Sequence, residues 1–111
     1  MDNCVFCKIG SHNQTADLVF ENEELYVVHD IMPKAPVHFL VIPKQHLESI
    51  NHLAEDKADL VGRMILLAKD QAALHGIGST GYKLVFNVGK DGGQVIPHLH
   101  LHVLGGKQMP E

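Results

Sequence analysis

The stretch His98-Leu99-His100-Leu101-His102-Val103-Leu104 decides the fold of this chain. Its imidazoles alternate with aliphatic side chains, and a period of two is typical of a β-strand with one buried face. The pattern therefore predicts a strand from residue 97 or 98 to residue 104, with three imidazoles on the face opposite to the core. Same-face side chains on a strand lie about 6.5–7 Å apart. Three histidines at that spacing can surround one small anionic group or share a metal ion.

The chemistry of imidazole leaves two interpretations of this row. A single strand histidine is usually a hydrogen-bonded or solvated side chain, but no packing requirement explains three in register. Neutral imidazole is a nucleophile, a base and a metal ligand near neutral pH. The residues alone therefore indicate either a metal site or a nucleophilic site.

Length and composition limit the remaining possibilities. The chain has 111 residues, of which 45% are hydrophobic and 20% charged, so we expect a single domain over residues 1–111. The net charge of −4 argues against a broad nucleic-acid-binding face, because such faces neutralise phosphates with Lys and Arg. A small-molecule ligand is the alternative that this charge favours.

The expected location is the cytoplasm, with no membrane partner. The first residues, Met1-Asp2-Asn3-Cys4-Val5-Phe6-Cys7, contain neither a basic nor an apolar signal region, and no stretch reaches the length of a membrane span. Two cysteines in a reducing compartment stay reduced. The Cys-x-x-Cys motif is therefore a reactive dithiol or part of a metal site.

Periodicity and turn residues predict an α+β fold with an antiparallel sheet. A short helix is expected over residues 5–9, closed by Gly10, and a long helix over residues 56–75. The other strands are predicted at residues 18–20, 25–28, 38–42 and 82–88. The apolar stripe of the long helix consists of Leu60, Val61, Met64, Ile65, Ala68 and Ala72. Short turns between most strands favour antiparallel pairing of all five.

Several segments together resemble the histidine triad (HIT) proteins, and specifically their Hint branch of purine-nucleoside phosphoramidases. The resemblance runs through nearly the whole chain and is carried by Cys4-Val5-Phe6-Cys7-Lys8-Ile9, His29-Asp30-Ile31 and residues 35–44, 87–94 and 98–106. It implies a HIT-like fold, with a five-stranded antiparallel sheet and one long and one short helix in a single HIT domain. It also implies a homodimer.

The resemblance implies a catalytic mechanism centred on His100. In HIT proteins the matching histidine attacks the α-phosphate of a nucleotide conjugate, and water then hydrolyses the nucleotidyl-imidazole. His102 and His38 match histidines that donate hydrogen bonds to the phosphate oxygens. The implied substrates are purine nucleoside phosphoramidates, in which AMP or GMP is linked to an amine, and acyl-adenylates. The alternatives are a dinucleoside polyphosphate hydrolase, a nucleotidylyl transferase, or a regulatory module that binds nucleotide or zinc.

The nucleotide contacts are also implied by the resemblance. Asp30 matches an acceptor for the ribose hydroxyls, while Ile31 and Phe6 match the apolar nucleoside pocket. Phosphate and leaving-group contacts are expected from Asn87, Gly93, Gln94, Val95 and His102. Many family members carry Ser or Thr at the position of Val95, so this chain lacks one hydroxyl donor there.

A structural zinc ion is the last implication. Several bacterial HIT proteins hold zinc through positions that match Cys4, Cys7, His46 and His98. Two thiolates and two imidazoles suit tetrahedral Zn²⁺, and four protein ligands leave no open position for catalysis. We therefore expect that catalysis requires no cofactor.

Overall fold

The computed structural model describes residues 3–111, which contain a five-stranded antiparallel sheet. The strands are β1 (Leu18–Glu21), β2 (Leu25–His29), β3 (Val37–Pro43), β4 (Tyr82–Val85) and β5 (Leu101–Gly105). Their order in space is β1-β2-β3-β5-β4, and every neighbouring pair is antiparallel. The predicted fold class is confirmed.

Within residues 3–111, two α-helices accompany the sheet. Helix α1 (Val5–Gly10) begins where the Cys4 sulfur accepts a hydrogen bond from the Cys7 backbone N–H at 3.2 Å. Helix α2 (Ala58–Leu74) is preceded by a 3₁₀ turn at Glu55–Lys57, and another such turn lies at Ile50–His52. No helix within residues 3–111 is both long and apolar enough to cross a membrane.

The main core lies between α2 and one face of the sheet. Alternate strand residues such as Val41, Leu101 and Val103 point into it and are almost completely buried. Helix α2 contributes a stripe with a spacing of four residues, consisting of Leu60, Met64, Ala68 and Ala72. Ile65 was predicted on this stripe but is 40% exposed, because it lies about 100° around the helix from Met64.

A smaller apolar cluster covers part of the opposite face of the sheet. Phe6 of α1 packs there on Tyr26, Val28, Leu40 and Ile42. The Tyr26 hydroxyl donates a hydrogen bond to the Phe6 carbonyl at 2.6 Å, which fixes α1 to β2. This second face is therefore partly covered by α1 and otherwise available to a ligand.

The histidine strand is shorter than the alternation predicts. β5 begins at Leu101 rather than at residue 97 or 98. Before that point the Leu99 N–H donates to the Leu47 carbonyl at 2.6 Å, so the main chain is held by the loop after β3. β4 ends at Val85, which pairs with His102, instead of at residue 88.

Candidate active site

Three histidines meet in one cavity on the face of the sheet opposite α2. The cavity has a volume of about 810 Å³, and His38, His100 and His102 line it together with residues of α1, the loop after β2, the loop after β4 and the C-terminal segment. We call it the histidine cavity. It unites residues that are separated by up to about a hundred positions in the chain.

Strand pairing sets the floor of the histidine cavity. In β3 and β5, His38 lies opposite Leu104 and Leu40 lies opposite His102. On the other side of β5, Lys83 lies opposite Leu104 and Val85 opposite His102. Paired residues of antiparallel strands share a face, so two cross-strand rows form the floor.

His100 presents one ring nitrogen to the cavity in a defined state. Its Nδ1 lies 2.7 Å from the carbonyl oxygen of His98, and a carbonyl only accepts, so Nδ1 carries the proton. Nε2 is therefore an unprotonated nitrogen with an available lone pair. The residue is only 8% exposed, and this burial lowers the pKa of its imidazole. His100 is therefore neutral near pH 7 and chemically able to act as a nucleophile.

A chain of hydrogen bonds assigns the protons of His38 and His102. The Lys34 backbone N–H donates to His38 Nδ1 at 3.1 Å, so the proton of His38 is on Nε2. That Nε2 lies 3.0 Å from His102 Nδ1 and 3.3 Å from a carboxylate oxygen of Asp30, and both are acceptors. His102 Nδ1 thus accepts, and its own proton is on Nε2. His102 is set to donate a hydrogen bond to a ligand in the cavity.

Burial keeps both of these histidines neutral. Burial, reinforced by the neighbouring His100 and His38, lowers the pKa of His102 to about 4. Burial also lowers the pKa of His38 and outweighs the attraction of the Asp30 carboxylate, which acts in the opposite direction. The cavity therefore holds three neutral imidazoles near pH 7, and the neutral form of His100 is the one that nucleophilic attack requires.

Most of the residues predicted to contact nucleotide line the histidine cavity. Besides His102 they are Phe6, Asp30, Ile31, Asn87, Gly93 and Val95. Ile31 and Val95 are each 90% exposed at its rim. An apolar side chain this exposed beside a cavity is well placed to cover a ligand.

Gln94 does not line the cavity. Its side-chain amide donates to the carbonyls of Glu48 at 2.7 Å and Ile96 at 3.1 Å, and its oxygen accepts from the Gly89 N–H at 3.0 Å. The side chain thus braces the loop between β4 and β5. Asn87 has a related contact, because its amide donates to the Gly92 carbonyl at 2.8 Å, yet it remains on the cavity wall.

Part of the cavity wall was not predicted from the sequence. Additional lining residues are Met32, Lys34, Leu40, Lys83, Val85, Ile96, Leu104, Lys107, Gln108, Met109 and Pro110. The Lys83 ammonium donates to the Pro110 carbonyl at 2.8 Å, which holds the C-terminal segment beside the cavity. Only the strand order places Lys83 here, so no local motif identifies it.

A second group of chemically reactive side chains, the Cys2His2 cluster, consists of Cys4, Cys7, His46 and His98. One ligand atom from each lies within 4.8 Å of the others. His98 Nδ1 is 3.2 Å from the Cys4 sulfur and 3.5 Å from the Cys7 sulfur, and His46 Nδ1 is 3.2 Å from the Cys7 sulfur. These four residues lie close enough to bind a metal ion.

The donor set fits a tetrahedral metal ion. Zinc bond lengths of about 2.3 Å to sulfur and 2.0–2.1 Å to nitrogen put S and N ligands roughly 3.5 Å apart in a tetrahedron, close to the separations in this cluster. His98 Nε2 donates to the Pro43 carbonyl at 2.8 Å, which leaves Nδ1 unprotonated and able to coordinate. Burial, followed by contact with Cys4, raises the pKa of the Cys7 thiol to about 11 without a metal.

Asp30, His38 and His102 also have ligand atoms within 4.8 Å of one another. The Lys34 N–H, however, occupies His38 Nδ1, so His38 Nε2 carries a proton and has no lone pair to offer. These three residues form a hydrogen-bonded network of the histidine cavity.

Comparison with known proteins agrees with the fold. Residues 3–111 match the family described as "Scavenger mRNA decapping enzyme C-term binding". Protein HitA of Neisseria gonorrhoeae is 43% identical over 105 residues, which are 95% of this chain and 97% of the relative. The chain therefore belongs to the histidine triad family.

Solved structures share the whole fold. The HIT family hydrolase from Legionella pneumophila Philadelphia 1 superposes with a TM-score of 0.95 at 44% identity, covering 97% of this chain and 96% of that one. A histidine triad protein from Clostridium difficile gives a TM-score of 0.95 at 36% identity, covering 100% of this chain and 96% of that one. The predicted family resemblance is confirmed.

Proposed function

We propose that this protein hydrolyses purine nucleoside phosphoramidates, that is AMP or GMP joined to an amine, with acyl-adenylates as related substrates. The observation that carries the proposal is the state of His100, whose Nδ1–H is held by the His98 carbonyl while Nε2 is unprotonated in the cavity. Membership of a family that includes HIT family hydrolases supports a hydrolytic reaction.

The proposed reaction has two steps. His100 Nε2 attacks the α-phosphorus, an N–P bond forms, the bond from phosphorus to the substrate amine breaks, and the amine leaves after taking a proton from solvent. Water then attacks phosphorus, the bond to His100 breaks, AMP or GMP departs and the proton returns to solvent. A covalent intermediate replaces one difficult displacement by two easier ones.

The neighbouring residues stabilise charge and bind the nucleoside. His102 Nε2–H donates to a non-bridging phosphate oxygen, where negative charge grows in the transition state. His38 holds His102 in the donating tautomer through their 3.0 Å contact. Asp30 accepts from the ribose hydroxyls, and the purine packs against the apolar wall of Phe6 and Ile31, with Asn87 and Gly93 beside the phosphate.

Adenosine 5′-phosphoramidate is the direct test. We expect AMP and ammonia to be released in equal amounts, with slower cleavage of diadenosine polyphosphates and no transfer of AMP to added phosphate. Binding without turnover would instead indicate a regulatory module. Faster cleavage of the dinucleotide, or AMP transfer to phosphate, would indicate one of the two enzymatic alternatives.

We expect Val95 to limit the reaction rate, because its side chain has no hydroxyl to donate a hydrogen bond to the substrate. In the Val95→Thr variant the side chain keeps its shape and gains a donor at the cavity rim, where Val95 is 90% exposed. One additional hydrogen bond is worth about 0.5–1.5 kcal/mol, so we expect kcat/KM to rise about threefold to tenfold or the preference among leaving amines to change. Val95→Ala, which removes volume and adds no donor, is the control. Identical kinetic constants for Val95→Thr and the wild type across several amines would contradict this role.

The pH dependence is expected to show an acid limb well below the ordinary range of histidine. Burial lowers the pKa of the nucleophile His100, and burial together with the neighbouring His100 and His38 lowers that of His102 to about 4, so both rings stay neutral as the pH falls from 8 through 6.5. Four titratable groups surround His102, namely Asp30, His38, His100 and Lys34. Among these only the Asp30 carboxylate raises the pKa of His102 and so favours its protonation. We expect kcat/KM to be level from pH 8 to about 6 and to decline towards pH 4. A midpoint at pH 6.5, measured on protein shown to be folded by circular dichroism, would contradict this expectation.

We propose that the metal of the Cys2His2 cluster is zinc. Two sulfur and two imidazole ligands suit tetrahedral Zn²⁺, and with all four positions filled by protein the ion stabilises structure. The proposed two-step reaction uses only side chains of the histidine cavity. Thiolate ligands persist where the surroundings are reducing, which supports a cytoplasmic location.

We also propose that the chain acts as one HIT domain that forms a homodimer. The outward side of α2 and the edge strand β4 expose apolar side chains, namely Ile65, Leu66, Leu74 and Leu84. Such residues on a small domain favour a partner surface. Sedimentation equilibrium should give twice the chain mass of 12.2 kDa, and Leu66→Asp should reduce it towards one chain. A monomer at micromolar concentration would contradict the dimer.

A further inference from the structure

The Cys2His2 cluster and the histidine cavity meet at a single residue. The ring of His98 faces the two cysteine sulfurs, while the backbone carbonyl of the same residue accepts the Nδ1–H of His100 at 2.7 Å. We propose that metal occupancy of the cluster positions His100, so that zinc binding and mononucleotide binding are thermodynamically coupled. His98 and Phe6 are the positioning residues. The inference rests on the proposed function only in taking a mononucleotide as the ligand of the cavity.

The contacts of the His98 ring set the position of the His98 backbone carbonyl. Regular sheet pairing begins at Leu101, so residues 98–100 are held by two loop hydrogen bonds, from His98 N–H to Ile96 and from Leu99 N–H to Leu47. The His98 ring is fully buried and contacts the cysteine sulfurs on one edge and the Pro43 carbonyl on the other. A metal that fixes Nδ1 therefore restricts the peptide that orients His100.

Phe6 provides a second connection between the two sites. It lies between Cys4 and Cys7 in sequence, is 5% exposed, and places its ring edge-on to His98 at 5.8 Å and to His100 at 5.1 Å between ring centroids. Helix α1 has only six residues, too few to be stable alone. A metal bound by the two cysteines consequently sets the position of the aromatic wall beside His100.

The coupling is expected to be moderate. Two anchors persist without metal, the hydrogen bond from the Tyr26 hydroxyl to the Phe6 carbonyl at 2.6 Å and that from His98 Nε2 to Pro43 at 2.8 Å. The metal-free protein should therefore keep the outline of the cavity and lose part of the order of His100. We expect AMP to bind about fivefold to tenfold more tightly to the zinc-loaded protein, and linkage requires AMP to tighten zinc binding by the same factor.

Calorimetry tests both directions of the coupling. AMP, the proposed product, is titrated into zinc-loaded and metal-free protein, and zinc affinity is measured by chelator competition with and without saturating AMP. The proposal is supported if zinc strengthens AMP binding and AMP strengthens zinc binding by the same factor, greater than one. Equal AMP affinities in the two folded forms would overturn it.

Cobalt provides a readout in protein that is always metal-loaded. Co²⁺ in a Cys2His2 site absorbs visible light through transitions that are sensitive to ligand geometry, so AMP bound at His100 should shift these bands. The measurement remains decisive if the metal-free protein unfolds. Unchanged cobalt bands at saturating AMP would count against a connection through His98.

Two substitutions test the route. Phe6→Leu keeps an apolar side chain and all four metal ligands but removes the ring contact with both histidines, so the zinc-dependent factor in AMP affinity should fall by at least half. Ile31→Ala, at the cavity rim and outside the packing cluster of Phe6, should weaken AMP binding in both forms and leave the factor unchanged. If the zinc-dependent factor in AMP affinity is unchanged in Phe6→Leu, Phe6 does not contribute to the coupling. These measurements are independent of turnover, so failure to cleave phosphoramidates would contradict the proposed function and leave the coupling standing.

Discussion

The His100→Asn variant is expected to release no AMP from adenosine 5′-phosphoramidate above background, a loss on the order of 10⁴-fold or more in kcat. Asparagine keeps a donor that can reach the His98 carbonyl, which the His100 ring contacts at 2.7 Å, so the local fold should survive. Its amide nitrogen has no available lone pair and cannot bond to phosphorus. The variant therefore separates attack by the side chain from binding of the nucleotide.

Quenched-flow mass spectrometry identifies the intermediate. Wild-type protein stopped during turnover should carry an added mononucleotide on the peptide that contains His100, and His100→Asn should carry none while still binding AMP. His52→Asn is a suitable control, because His52 is exposed and pairs with Glu48. Cleavage by His100→Asn at a rate near wild type would refute nucleophilic catalysis by His100.

The sequence could predict the elements that local periodicity defines. The alternation at residues 98–104 identified Leu99, Leu101 and Val103 as core residues, and all three are buried. The spacing of four in α2 identified Met64 and Ala68, which are also buried. Burial of one face is a local property of a strand or helix, so a single sequence contains it.

Long-range pairing explains what local pattern could not predict. The alternation implies that His98 and His100 share a face, but the main chain at residues 98–100 is held by Leu47 and Ile96 and not by a neighbouring strand. The His98 ring consequently enters the Cys2His2 cluster while the His100 ring lines the cavity. Lys83 reaches the cavity only because β4 pairs with β5, an order that no local motif specifies.

The protonation states also depend on tertiary contacts. A free imidazole has its pKa near 6.5, whereas burial lowers the pKa of His38, His100 and His102. The tautomer of His38 follows from a backbone donor, the Lys34 N–H, which the sequence does not reveal. Resemblance to a family can name these residues, but only the packed structure gives the physical reason for their chemistry.

Removal of the proposed zinc is expected to cause the largest loss of stability. A metal that binds only the folded chain stabilises it by RT ln(1 + [L]/Kd), about 3–4 kcal/mol when zinc exceeds its Kd by 100-fold to 1,000-fold. For a domain of 111 residues this corresponds to a fall in Tm of about 10–20 °C. We expect this fall both for the Cys4→Ser, Cys7→Ser double variant and for wild-type protein treated with a chelator.

The two treatments control for each other, because serine is nearly isosteric with cysteine but binds zinc poorly. The chelator should therefore lower the Tm of the wild type and leave that of the double variant unchanged.

The catalytic rate of the metal-free protein distinguishes structural from catalytic zinc. At saturating phosphoramidate the metal-free wild type should keep kcat within about tenfold, since His100 and His102 supply the reacting groups. Complete loss of turnover on chelation in protein that remains folded, with recovery on adding zinc, would show that a metal-activated water performs the chemistry.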